Sequence, residues 1–140
     1  MLFRSLLSLI PQGVGVLIST PYMDEAARCS HVSFLRNGRT VMRGTPGELE
    51  RPLAGRILEV RGEPRRTLRR AVGAIPGVES AQAFGDRVHA RLRPGSGKAV
   101  LAALPAAVSS AGGRLEGAGL VRPTLEDAFL QQLEDEGGRA

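Results

Sequence analysis

The sequence predicts an α/β chain in two parts. Residues 1–52 form a strand–helix–hairpin segment, and residues 57–135 form a small α+β domain of order β-α-β-β-α-β with a closing helix. Three observations predict this. An apolar β-branched run (Val14, Val16, Leu17, Ile18) meets helix-start residues at Thr20 and Pro21. Pro52 and Gly55 then break the chain, so 53–56 reads as a linker. Beyond them, period-2 and period-3.6 apolar patterns alternate, each bounded by turn residues, and 136–140 is left as a tail.

The first part begins with apolar residues at 2, 3, 6, 7, 9 and 10, close to helical spacing. A signal peptide is a poor fit, because Pro11, Gln12 and Gly13 interrupt the run and no small-residue cleavage site follows before Tyr22. A membrane span needs about 20 nearly continuous apolar residues. Val14 to Ile18 reads as a buried strand. The helix after it has Thr20 as N-cap, Pro21 at its first position, and Asp24 and Glu25 near its positive end. His31 to Leu35 and Arg39 to Met42 are strands joined by Asn37-Gly38, the strongest short hairpin signal. Thr45 and Glu48 form a capping box for a further helix.

The second part opens with a short strand at 56–61. Leu68, Ala71, Val72 and Ile75 make one face of a helix over 65–75, ended by Pro76 and Gly77. Val78 to Phe84 and Arg87 to Leu92 flank Gly85-Asp86 as a hairpin. In the second arm Val88, Ala90 and Leu92 alternate with Arg87, His89, Arg91 and Arg93, which predicts one buried and one wet face. A helix over 98–111 carries Val100, Leu101, Leu104 and Val108, and Pro105 is expected to kink it or mark its start. A glycine-diluted strand (115–121) precedes a helix over 124–133, with Thr124 as N-cap and Asp127 as capping-box partner. Leu125, Phe129, Leu130 and Leu133 share one face of that helix. The order is a ferredoxin-like arrangement.

Beyond periodicity, the residue string itself is distinctive. Ser19, Thr20, Tyr22 to Ala26, Arg28, Asn37-Gly38, Gly44 to Pro46 and Glu48-Leu49 occur in fixed order. This resembles the tail of the ATPase domain of ABC-type export transporters. There, the last core strand ends in Ser-Thr ahead of a switch histidine, a helix beginning Tyr-Met-Asp-Glu-Ala, a hairpin and Gly-Thr-Pro-x-Glu-Leu. The closing run Arg122 to Leu130 (RPTLEDAFL) is similar to the end of the small accessory domain found C-terminally in drug-export members. The resemblance implies the C-terminal fragment of a P-loop (RecA-like) domain joined to that accessory domain. It also implies ATP and Mg²⁺ as parent-family cofactors. The implied partners are the remainder of the ATPase domain or a second nucleotide-binding domain, and a membrane-spanning permease. The implied location is cytoplasmic, peripheral at the inner face of the cell membrane.

The sequence departs from the family at the chemistry. Pro21 falls on the switch-histidine position, flanked by Ser19 and Thr20, and proline has no side-chain donor for a γ-phosphate. His31 lies one helix away and reads as structural. A phosphate loop needs G-x-x-x-x-G-K-[ST], and none is present. The nearest string is Gly95, Ser96, Gly97, Lys98. Ala99 follows where a Mg²⁺-binding hydroxyl belongs, and Leu92 stands where the first glycine belongs, so it reads as a strand-to-helix turn. The Leu-Ser-Gly-Gly-Gln signature and the catalytic Asp-Glu are missing too. No catalytic or metal residue is therefore assigned, and the chain alone is expected not to hydrolyse ATP or to bind it tightly.

Composition narrows the classes further. The chain has 140 residues, 42% of them hydrophobic and 4% aromatic, which makes a core of Leu, Val, Ala and Ile. The strand at 14–18 would need sheet neighbours from elsewhere, because unpaired edges invite aggregation. Residues 56–135 could fold alone, with a thin margin for that size. Net charge is +5, and residues 56–93 hold nine arginines. Such a face can attract anions. RNA-binding sheets stack bases on aromatics, whereas Phe84 is the one aromatic there, so no nucleic acid is expected. Cys29 is the only cysteine, which excludes a disulfide framework within the chain, and it reads as a buried thiol on the helix after Pro21. The alternative to a transporter part is a stand-alone regulatory or binding module. Its basic ferredoxin-like domain would hold a protein, a small ligand or an anionic surface.

Overall fold

The computed structural model describes residues 2–138. The chain divides into two compact units, one up to Leu49 and one from Glu50 onward.

In the first unit, α1 (Leu2–Leu7) is followed by a 3-10 turn over Ile10–Gln12 that ends at Gly13, with φ +83°. After a one-turn helix, α2 (Met23–Ala26), come β1 (Val32–Arg36) and β2 (Arg39–Gly44), an antiparallel hairpin. Asn37 (φ 50°) and Gly38 (φ 74°) form its turn. Two successive positive φ values match the right-handed twist of the strands, which is why Asn-Gly specifies this turn. Val32 and Phe34 are buried under the hairpin. The helix α3 (Pro46–Glu50) has the expected capping box. The Glu48 N–H donates to Thr45 Oγ1 (3.2 Å), and the Thr45 N–H donates to Glu48 Oε2 (2.9 Å).

Two expectations for this unit fail. Residues 14–18 are not a strand: they have no regular secondary structure, no described strand pairs with them, and Leu17 is fully exposed. A β-ladder is stabilised by its neighbours, and β1 and β2 bond only to each other. Thr20 does not cap a helix that starts at Pro21. Its hydroxyl accepts from the Tyr22 N–H (3.0 Å) and donates to Glu25 (2.6 Å), building a turn before α2. With no buried residue, α2 lacks the packing that would extend it. Cys29 lies just past α2, half-buried, with its thiol toward the Glu25 carbonyl at 3.7 Å.

The second unit contains β3 (Ile57–Glu63), α4 (Arg65–Gly73), β4 (Val78–Phe84), β5 (Arg87–Leu92), α5 (Gly97–Ser110), β6 (Arg114–Val121) and α6 (Leu125–Gly137). The four strands make one sheet of order β4-β5-β3-β6, and every neighbouring pair is antiparallel. Period-2 alternation sends Leu58, Val60, Val88, Ala90 and Leu92 to one face. There they meet Leu68, Ala71 and Val72 of α4 and Val100, Leu104 and Val108 of α5, all nearly inaccessible. Each fully buried Leu or Val contributes about 1.5–3 kcal/mol, so this layer carries the fold. At Gly62, beside a register shift in the β3–β6 ladder, a Cβ would lie 2.2 Å from the Arg114 carbonyl oxygen, so the close approach requires glycine.

Two further expectations need correction here. The helix α5 starts at Gly97 and runs through Pro105, so the proline marks no start. Pro105 is exposed, where the carbonyl four residues earlier can be solvated instead of bonded. The second face of β5 is wet only in part: His89 is 8% exposed, whereas the Arg87 side chain is 37% exposed. Side chains of α6 reach Gln82, His89 and Arg91 on the sheet face opposite α4 and α5. No helix among the described residues is long and apolar enough to cross a membrane.

Candidate functional site

The structure does not gather the sequence-predicted positions Ser19, Thr20 and Pro21 into a phosphate site. They lie in the irregular segment before α2, with Ser19 and Pro21 exposed. The Thr20 hydroxyl donates to Glu25, which leaves it no proton for a phosphate oxygen. In the second unit, Ser96 donates to the carbonyl oxygens of Gly77 (3.1 Å) and Arg93 (2.8 Å), so it closes the turn into α5. The hydroxyls of Thr20 and Ser96 are thus engaged within the chain. Among the described residues no group of three or more His, Cys, Asp or Glu is arranged to hold a metal ion.

The polar side chains that do converge lie between the sheet and α6. Asp127 sits at the third position of α6 because Thr124 caps that helix. Its carboxylate accepts from the Thr124 N–H (2.7 Å) and hydroxyl (2.9 Å). Its other oxygen meets His89 Nδ1 at 2.8 Å. On the far side of the ring, His89 Nε2 is 3.3 Å from Glu59 on β3, which also receives Arg87 and Arg61. Phe84 stacks on the imidazole, centroids 4.4 Å apart. Beside them Glu79 holds Arg56 and Arg91, and Glu134 of α6 holds Arg91 and Gln82.

This cluster clamps charge. Burial works against a protonated His89, but the hydrogen bond and charge of Asp127, joined by Glu59, outweigh it and hold the ring's pKa above its ordinary value. Burial likewise opposes a charged Glu59, yet hydrogen bonds from Arg87, His89 and Arg61 hold its carboxyl below the usual range. With a carboxylate at each nitrogen, His89 has no free nitrogen with which to act as a base. The arrangement fastens α6 to the sheet.

The signs set a pH window. A raised histidine pKa gives stability that is complete below the unfolded value of 6.5 and lost as pH rises through the folded one. A lowered carboxyl pKa gives stability that is complete above 4.5 and lost as pH falls. Urea unfolding of the wild type should therefore show the midpoint falling as pH is raised from 6.5 toward alkaline values. His89→Gln should flatten that fall. An equal slope in both proteins would show that His89 does not titrate with folding.

Sequence reading found Asp127 as a cap but missed its partner. The one available signal was His89 on a β5 face that also carries Arg87 and Arg91. Nothing in that face announces the helix that covers it.

Comparison with known proteins bears on the other unit as well. No protein-family model matches the chain. It is 29% identical over 132 residues to the daunorubicin resistance ATP-binding protein DrrA2 of Streptomyces coeruleorubidus, which covers 92% of this chain and 41% of that protein. DrrA3 of the same organism is 29% identical over 133 residues, covering 94% of the chain and 42% of the relative. The probable multidrug ABC transporter ATP-binding protein YbhF of Escherichia coli is 28% identical over 139 residues, covering 97% and 23%.

The chain is similar to ABC transporter ATP-binding proteins.

The similarity extends across both units and spans less than half the length of each of these relatives.

Proposed function

We propose that this chain works as part of the ATP-binding subunit of an ABC-type drug exporter. It would supply the end of a RecA-like core sheet, the switch region and a ferredoxin-like accessory domain. The observation that carries this reading is the ordered string from Ser19 to Leu49, coupled to similarity over more than nine-tenths of the chain. In this reading, ATP and Mg²⁺ bind where phosphate loop, signature and catalytic carboxylate are provided by the remainder of the ATPase domain or a second nucleotide-binding domain. Closure is passed to a membrane-spanning permease, and the subunit is held at the inner face of the cell membrane through it. The sheet order β4-β5-β3-β6 and the β-α-β-β-α-β order support the accessory-domain assignment.

The test pairs two proteins. The chain alone should show no Mg²⁺-dependent ATP hydrolysis above buffer. A chimaera that places the front portion of DrrA2 ahead of it should bind ATP and hydrolyse it. Hydrolysis by the pure chain, or a folded chimaera that binds no ATP, would overturn the proposal.

A second reading, a stand-alone binding module, draws on one observation. The unit from Glu50 onward encloses its own hydrophobic core, whereas none of residues 14–18 is buried and Val14 and Leu17 are exposed.

A further inference from the structure

The charges of the second unit are sorted by layer. The helices α4 and α5, which cover one face of the sheet, carry Arg65, Arg66, Arg69, Arg70 and Lys98 and no acidic residue. All five are exposed. The helix α6, on the opposite face, carries Glu126, Asp127, Glu134, Asp135 and Glu136 and no basic residue. The sheet between them holds paired arginines and glutamates.

The arrangement on α4 works against the helix that bears it. Arg65 and Arg66 occupy the first turn, where the macrodipole favours acids. Arg65 with Arg69, and Arg66 with Arg70, are like-charge pairs at i, i+4, which destabilise a helix. Arg66, Arg69 and Arg70 have no carboxylate partner among the described residues. Arg65 donates to the Gly85 carbonyl. The nearest acids are engaged elsewhere: Glu63 faces Arg114 at 3.7 Å, and Asp86 binds Arg87 at 3.1 Å. Local rules broken without internal compensation mark a functional surface.

We infer that the α4–α5 layer is a docking face for an anionic lipid bilayer. A plane of phosphate headgroups matches a cationic layer whose counter-charges lie on the far side of the domain, and that polarity orients the unit on the plane. Next to the arginines, α5 exposes only small uncharged residues beside Lys98, among them Ala102, Ala103 and Pro105, which permits close approach. A nucleic acid is the weaker fit, because neither helix carries an aromatic side chain on which a base could stack.

The test is co-sedimentation of the full chain with vesicles of phosphatidylglycerol mixed into phosphatidylcholine, against pure phosphatidylcholine. Binding should require phosphatidylglycerol and weaken as salt is raised. Each arginine near an anionic surface strengthens binding about fivefold. The triple variant R66Q/R69Q/R70Q should therefore lose about a hundredfold, while circular dichroism shows it folded, since the removed charges repel one another. A control of equal net charge, R39Q/R43Q/R122Q, should keep most of the affinity. Equal binding to neutral vesicles, an equal loss in the control, or tighter binding to a single-stranded oligonucleotide than to anionic vesicles would each overturn the inference.

Discussion

Replacing Asp127 with alanine is expected to lower the unfolding free energy of the unit from Glu50 onward by about 3 kcal/mol. That is the scale for breaking a buried pair by removing one partner. The carboxylate is almost inaccessible and has two duties. It completes the Thr124 capping box, and it faces His89 at 2.8 Å. Losing a cap alone costs about 1 kcal/mol, so Thr124→Ala reports that share. The remainder comes from a buried imidazole deprived of its nearer carboxylate, with Glu59 left at 3.3 Å. Urea titrations of the wild type, D127A and T124A separate the two. Equal losses in D127A and T124A would mean that Asp127 acts only as a cap. The isosteric Asp127→Asn keeps shape and removes charge. It should fall between them below pH 6.5 and approach the wild type where His89 is neutral.

How far these features could be read from sequence depends on the range of the interaction that makes them. Elements fixed by neighbours in the chain were legible. The Asn37-Gly38 hairpin, the Thr45/Glu48 and Thr124/Asp127 boxes, the α4 stripe Leu68, Ala71 and Val72, and the hairpin around Gly85-Asp86 all stand where pattern puts them. Each is decided within a few residues by backbone sterics, a cap or one face of a helix. Features set by distant partners were not legible. His89 and Asp127 are 38 residues apart. Alternation along β5 says which residues share a face, but whether that face is wet depends on where α6 lies. Pro105 deceived for a related reason: the helix that runs through it buries Val100, Leu104 and Val108 against the sheet, and tertiary packing outweighs the local cost of a proline. For Val14 to Ile18 the pattern of a buried strand is present in the residues, and a strand still does not form, because apolar side chains specify burial while a ladder needs a second backbone.

That last discrepancy carries the largest predicted contrast in the molecule. In native-state hydrogen exchange, the amides of Leu58, Val60, Val88 and Ala90 should exchange about a thousandfold or more slower than those of Gly15 to Ile18. The first group belongs to the two inner strands of the sheet, β3 and β5, over a closed core, so exchange there requires opening of the whole unit. The second group has no ladder partner, and Leu17 projects wholly into solvent. If the chain is part of an ABC subunit, these residues acquire neighbours when the rest of the core sheet is supplied. The DrrA2 chimaera should then raise protection at Gly15 to Ile18 without changing it at Leu58 or Val88. Protection at Gly15 to Ile18 in the isolated chain would argue that this segment finds its own partner, and would favour a protein that works alone. Protection absent from both proteins would count against the strand assignment itself, and with it against the reading of Ser19 to Pro21 as the end of a core strand.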